Sequence, residues 1–563
     1  MSNKKLLQAA AGTAAAGGGS LYVDDVFSTW LYDGTGNTSY NSGDGSSATN
    51  IVNGIDLSGE GGMVWTKSRT YDSRHSIVDT ERGAAEMLSA SETGPSATTT
   101  DCTLAFNSDG YTLGLDNGFQ RVNLKYPNTY ASWSFRKAEK FFDIQTWTGT
   151  GASSRTIAHS LGSVPAFMIV KGTNASGWLT YHTSLGATQY VQLQSTAAAA
   201  TYPIWDDTTP TDSVFSIGSY GDLNENGVTY VAYLFASDAG GFGDDGDENI
   251  IKCGSYTGNG STDGPTVTLG FEPQWLMIRG TGGGDWTIFD NMRGLVVGGN
   301  DLRLWANQSS TENNGSPYID LQPTGFKLQG STGGAANGNG SDYIYIAIRR
   351  PMKTPTEGTE VFAVDTEGSA GSLPGYRSGF PVDMMIRPET GGGSFPTSAR
   401  LIQKSQLVTN GTNAETGFSS LAKFDYMNGF SDVTGVASNR IGYMFKRATG
   451  FMDVVCYTGN GSGSGQVINH NLGVTPEIII IKGRSNSGRE WHTYVSSQGQ
   501  DKALFINSQG AEQSNSALTS GTINSTQFEL KVDFGNVNGN NETYISYLFA
   551  TVAGVSKVGS YTG

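Results

Sequence analysis

Two adjacent carboxylates beside an indole, Asp206 and Asp207 after Trp205, are the first residues that suggest a reaction, because an acid, a base and a stacking ring are the parts of a glycosidase. Neighbouring residues of a strand point to opposite faces, so this pair is poorly placed to flank one bond. His159 and His470 come next, since imidazole titrates near neutrality. They occupy the same position of a repeated motif, which argues against either being a unique base; each is expected to donate to a carbonyl at a turn. Gly240 to Asn249 is the most acidic stretch. Its oxygens could hold calcium, but the register is not that of an EF-hand loop, and a solvated linker is the expectation. No Gly-x-Ser-x-Gly, His-Glu-x-x-His, phosphate-binding glycine loop or paired-cysteine metal spacing occurs. No enzyme, cofactor or metal is therefore expected. Trp178, His182, Trp491 and His492 are the candidate glycan contacts, because aromatic faces stack on sugar rings while polar neighbours take the hydroxyls. The same four residues serve equally as core and rim of a β domain.

The elements that hold these residues are copies of one another. His159-Ser160-Leu161-Gly162 to Lys171-Gly172 is written again as His470-Asn471-Leu472-Gly473 to Lys482-Gly483, and more loosely from Leu269-Gly270 to Arg279-Gly280. Weaker copies end at Lys67 and Arg387. These five basic residues are spaced by roughly 95 to 110 positions, the size of a whole domain. A second series, with members at Tyr130–Phe135, Tyr230–Phe235, Tyr345–Ile348, Ile441–Phe445 and Tyr544–Phe549, closes each unit. A third, beginning at Trp147, Tyr256 and Tyr457, opens the next.

Short β-branched and aromatic runs between Gly, Asn, Asp and Ser clusters predict an all-β chain of tandem antiparallel β-sandwiches, jelly-roll or lectin-like. The units are expected at 21–143, 144–250, 251–359, 360–452 and 453–551, with 552–563 starting a further unit or forming a final strand. The fourth lacks the His-x-Leu-Gly signature and is the divergent one. Four consecutive isoleucines, Ile478 to Ile481, require a strand buried on both faces or central in its sheet. Asp79-Thr80-Glu81-Arg82-Gly83 and Asp290-Asn291-Met292-Arg293-Gly294 read as corners in which a guanidinium bridges a carboxylate and backbone carbonyls.

The chain has 563 residues, 78 glycines, 11% aromatics and a formal charge of −16, which fits a turn-rich multidomain protein rather than a disordered one. That charge argues against nucleic acid and anionic membrane as partners. No apolar run is long enough for a spanning helix. Three cysteines in different units imply no disulfide framework, and Cys253 and Cys456 read as buried thiols in equivalent strand positions. Residues 1–20, with Lys4, Lys5, Leu6, Leu7 and Gln8 ahead of a small-residue run, read as a docking peptide that orders on a partner.

Lys5-Leu6-Leu7-Gln8-Ala9-Ala10-Ala11-Gly12, Tyr22-Val23-Asp24-Asp25-Val26-Phe27-Ser28-Thr29-Trp30-Leu31-Tyr32 and Trp133-Ser134-Phe135-Arg136-Lys137-Ala138-Glu139-Lys140-Phe141-Phe142-Asp143 lead into His159-x-Leu161-Gly162-x-x-Pro165. In these features the chain resembles the tail fibre and tail-associated proteins of marine, cyanobacterial-type bacteriophages, along nearly its whole length. The resemblance implies a virion component made in the bacterial host cytoplasm. Its N-terminal peptide would anchor to phage tail proteins, its β domains would project toward a host-surface glycan or protein, and it would be a homo-oligomer, a trimer being favoured. A purely structural connector and a polysaccharide depolymerase are the rival readings. The family offers no catalytic or sugar-binding residues to carry over.

Overall fold

The alternating apolar runs pair antiparallel, and the computed structural model shows five units of one plan. It describes residues 20–38, 48–116, 122–125, 127–330, 335–366, 373–417, 424–431, 440–463, 465–514, 518, 521–530 and 536–562. Each unit is opened by one strand: Phe27–Asp33, Phe142–Thr148, Ile251–Thr257, Phe362–Thr366 or Met452–Thr458. That strand pairs with the one that closes the unit, Thr129–Arg136, Thr229–Phe235, Asp342–Arg349, Ile441–Phe445 or Thr543–Phe549. The closing strand pairs in turn with a central one, Gly62–Ser68, Phe167–Gly172, Pro273–Gly280, Met384–Ile386 or Ile478–Gly483, beyond which the main sheet continues in chain order. A smaller sheet of two or three strands completes each sandwich. The fourth unit, divergent in sequence, has the same strand order as the rest.

Lys67, Lys171, Arg279, Arg387 and Lys482 stand at or next to the end of their central strands, so the spacing read from the sequence is the spacing of the fold. Two boundaries move. Phe142 and Met452 already belong to opening strands, because the chain reverses just before them through the bridges Ala138 to Phe142 and Ala448 to Met452. At the other end Val552 and Ser556 form the same kind of bridge, and Lys557–Thr562 follow without joining a sheet.

One face of each main sheet packs on its own small sheet, as Val64 does with Ile51, Tyr111 and Leu113 in the first unit and Ile479 with Ile468 and Phe528 in the fifth. In the first three units the opposite face packs on neighbouring units, where Phe27, Phe135, Phe142, Phe235 and Trp275 share one core. Burial from both sides explains why Gly62–Ser68, Phe167–Gly172 and Pro273–Gly280 are buried throughout and why their sequences are near-continuous apolar runs. A ring of the opening strand stacks on a tyrosine of the closing strand in four units: Tyr32 on Tyr130, Trp147 on Tyr230, Tyr256 on Tyr343 and Tyr457 on Tyr544, at 5.1, 5.4, 5.1 and 5.2 Å between centroids. Among the described residues no helix is long and apolar enough to cross a membrane.

Cys102, Cys253 and Cys456 are unpaired and buried. Cys253 and Cys456 are not equivalent, as the sequence suggested: Cys253 lies three residues before Tyr256, whereas Cys456 directly precedes the matching Tyr457. Burial pushes all three thiols up, Cys456 to about 12. The folded protein is therefore expected to react with a disulfide reagent at pH 8 roughly a hundredfold or more slowly than the unfolded chain, because the thiolate is the reactive form; rapid labelling of the native protein would contradict this.

Candidate functional site

The repeated polar residues fasten units to one another. The tryptophan that starts or directly precedes the strand after the central one donates its indole N–H to the preceding unit. Trp178 Nε1 reaches Ser89 O at 2.8 Å, Trp286 Nε1 reaches Gln192 O at 3.1 Å, and Trp491 Nε1 reaches Val408 O at 2.9 Å. In the first unit His75 takes the corresponding place, with Nε2 at 2.8 Å from Trp305 O of the third unit. Units one, two and three thus close into a ring. Corner residues join it from the other side: Asp79 Oδ2 accepts from Tyr233 Oη at 2.7 Å, His182 Nε2 lies 3.1 Å from Tyr345 O, and Asp290 Oδ2 accepts from Trp133 Nε1 at 3.2 Å.

The two acid-turn-arginine motifs form the corners read from the sequence. Arg82 Nε and Arg293 Nε donate to Asp79 and Asp290 at 2.7 and 2.6 Å, and their terminal nitrogens reach Ile77 O and Ile288 O at 3.4 and 3.0 Å. The basic ends of the central strands also bind carbonyls. Lys171 Nζ donates to Gly172 O and Asn174 O at 2.8 and 2.9 Å, and Arg279 reaches across to Gln192 O and Ser195 O at 2.9 and 2.6 Å. Burial pushes Lys67, Lys171 and Lys482 down to about 8, outweighing the pull of Asp72 and Glu312 on Lys67 and of Asp222 on Lys171.

From Asp290 the network continues outward to a cleft of about 630 Å³ where the first, third and fourth units meet. Arg293 Nη1 donates to Glu312 at 3.1 Å; Arg69 grips Glu312 with Nε and Nη2, the latter at 2.8 Å, and also reaches Asp425 at 2.8 Å. Burial alone would raise the Glu312 carboxyl, but Arg69 and Arg293 hold it below its ordinary value. Glu312 is an ion-pair partner here, not a proton donor at neutral pH. Trp30, Tyr32, Lys404 and Asn428 also line the cleft, with Lys404 and Asn428 exposed. Rings beside fixed charges and an amide suit a ligand with both hydroxyls and an apolar face. Arg69, Glu312 and Asp425 carry no local motif, and only the meeting of three distant units brings them together.

His159 and His470 make the bonds expected of them. Nε2 lies 3.2 Å from Thr211 O or Asn524 O, while Nδ1 accepts the amide of Leu161 or Leu472 at 3.3 Å. Gly162 and Gly473 follow with φ of 68° and 78°, a left-handed turn that favours glycine. Burial lowers His159 and His470, takes His182 down to about 4, and, with the charge of Lys67, takes His75 to about 3. These imidazoles are neutral in the fold, so their contribution is complete above an ordinary histidine pKa and is lost as pH falls toward the folded values. For the deeply buried His75 and His182 the loss is up to about 1.4 kcal/mol each per pH unit. Asp301, pushed up to about 7, and Asp320 oppose this, two carboxyls against four imidazoles. The urea midpoint is expected to fall between pH 7.5 and 5.0, and less so in His182→Gln; a flat profile would contradict the neutral assignment.

The candidate glycan contacts are corrected by burial. Trp178, His182, Trp491 and His492 are 0, 1, 1 and 2% exposed, so none presents a face to a sugar: the first three lie against neighbouring units, and His492, paired with Ile481, faces the interior of its own sandwich. Asp206 and Asp207 lie not on a strand but in a turn with φ of 54° and 46°; Asp206 accepts from Ser154 Oγ at 2.6 Å and Trp205 is buried. In the acidic stretch Tyr22 Oη bonds Asp244 and Arg349 pairs with Glu248. Among the described residues no three His, Cys, Asp or Glu side chains are grouped to hold a metal ion. The docking residues Lys4, Lys5, Leu6, Leu7 and Gln8 lie outside the described residues.

No curated protein matches the chain. Residues 25–351 and 403–563 match a family described as "Domain of unknown function (DUF7483)", and the intervening gap covers the start of the fourth unit. With most of its length so matched, the chain belongs to that family.

Proposed function

We propose that this protein is a non-enzymatic phage tail component, a fibre or tail-attached adhesin that contacts the host surface. The observation that carries the reading is the use made of the repeated Lys, Arg, His, Trp and Asp signatures: they bond strand to strand and unit to unit. What remains for recognition is the outer surface, and above all the cleft between the first, third and fourth units. The resemblance to tail-associated proteins supplies the virion setting, the anchoring role of the N-terminal peptide and the expectation of a homo-oligomer.

A host-cell pull-down and a glycan array test the reading, with Lys404→Glu and Asn428→Ala, both exposed at the cleft rim, expected to weaken binding at least about tenfold, the loss of one or two polar contacts. Labelling of virions against the protein should mark the tail. Tail labelling with blank binding assays would make it a connector, and release of reducing ends from host polysaccharide would make it a depolymerase.

A further inference from the structure

The fourth and fifth units meet as the first and second do. Trp491 docks on Val408 as Trp178 docks on Ser89, and Gly450 N bonds Leu472 O at 2.6 Å as Lys140 N bonds Leu161 O at 2.6 Å. The rings between them repeat as well. Phe362 lies 4.9 Å from Phe445 as Phe27 lies 4.9 Å from Phe135, and Phe445 meets Phe549 edge-on at 5.9 Å as Phe135 meets Phe235 at 5.6 Å.

One member differs. In the first ring the third unit places Trp275 against Phe27 and Phe135, at 6.2 and 5.9 Å, and Phe27 is 2% exposed. Nothing in the described chain takes that place on the fourth and fifth units. Phe362 is 37% exposed and Val364 53%, where the corresponding Thr29 is 4%, and an open hollow of about 650 Å³ is lined by Phe362, Phe445, Phe451 and Val555. An apolar hollow of this kind on an otherwise polar surface marks an interaction site.

The segment beside it carries the sequence of the missing member. After the Val552 to Ser556 bridge, Lys557-Val558-Gly559-Ser560-Tyr561-Thr562 matches Lys252-Cys253-Gly254-Ser255-Tyr256-Thr257, the opening strand of the third unit, at all but one position. Tyr256 stacks on Tyr343 of its closing strand, whereas Tyr561 is 95% exposed.

We infer that the hollow between the fourth and fifth units is the seat of a further sandwich of the third-unit kind, built on Ser556–Thr562 as its opening strand. That unit would lay a bulky apolar residue of its central strand on Phe362 and Phe445 and so close a second ring. The inference is independent of the proposed host contact.

The test is to append residues 259–350 of this sequence after Gly563, so that Lys557–Gly563 takes the role of Lys252–Gly258. In the extended protein, amide exchange at Phe362–Thr366 and around Tyr561 is expected to slow by about tenfold or more, as for backbone moved from an edge into a packed interface. Alanine at the appended copy of Trp275 should partly reverse the protection at Phe362. Unchanged exchange at Phe362–Thr366, whether or not the appended residues fold, overturns the inference. So does a dimer of the original chain that protects the same strand and is dissolved by Phe362→Glu, since the occupant is then a second copy.

Discussion

Replacing Glu272 with leucine is expected to destabilise the protein by about 3–5 kcal/mol, because it strips a buried charge network of half its negative charge. Arg447 donates to both Glu272 oxygens, at 2.8 and 2.5 Å, and its Nε to Asp453 at 2.9 Å. Arg350 joins Asp453 at 3.0 Å, and Asp453 also accepts the Asn471 amide at 2.7 Å. The two guanidiniums belong to the third and fourth units and the carboxylates to the third and fifth, so the network pins the three together. Burial and the nearby charge of Arg447 hold Arg350 below its usual value, while Arg447, set between two carboxylates, lies above. Without Glu272 the two buried guanidiniums would keep one carboxylate in hydrogen-bond contact, Asp453, with Asp383 acting on them from farther off. The loss should appear as a lower urea midpoint, and Glu272→Leu combined with Arg447→Met should recover part of it, since removing both partners leaves less uncompensated charge. A single-variant loss below about 1 kcal/mol would mean that water enters the junction and screens it.

Trp491→Ala is the second large effect expected, about 3–5 kcal/mol. The indole is 1% exposed, lies 6.2 Å from Tyr547 in a stacked arrangement, and donates to Val408 O across the junction of the fourth and fifth units. Alanine would leave a cavity and take from the Val408 carbonyl one of its two donors, the other being Gly411 N at 3.1 Å. Trp491→Phe keeps most of the packing and should lose only about 1 kcal/mol for the missing hydrogen bond. Hydrogen exchange separates this from a general loss of stability: protection at Ser405–Val408, the docked strand, should fall first in Trp491→Ala. Equal loss across all five units would show that the tryptophan supports its own sandwich and not the junction.

Both variants act where units meet, which is also where reading the chain locally reaches its limit. A strand covered on one face only alternates apolar and polar residues; Ile478 to Ile481 does not, yet only Ile479 and Ile481, which face their own small sheet, are buried, while Ile478 and Ile480 are half-buried because neighbouring units cover that face in part. Trp178 and Trp491 depend on neighbours too. As side chains on a repeated strand they could face a sugar or a core, and the choice depends on whether another unit lies against them. The divergent fourth unit makes the complementary point. Its signature is lost, yet its strand order is kept, because order depends on antiparallel pairing and apolar patterning rather than on particular residues.

The sequence by itself determined the copying of one sandwich, its register through Lys67, Lys171, Arg279, Arg387 and Lys482, the corners at Asp79 and Asp290, and the carbonyl-bound histidines, since each of these rests on contacts within or close to its own unit. Only the tertiary structure decided the ring of three, the charge junction at Glu272, the cleft at Arg69 and the uncovered face at Phe362. Those depend on surfaces brought together from different units of the chain, and no local pattern encodes which distant face a strand will meet.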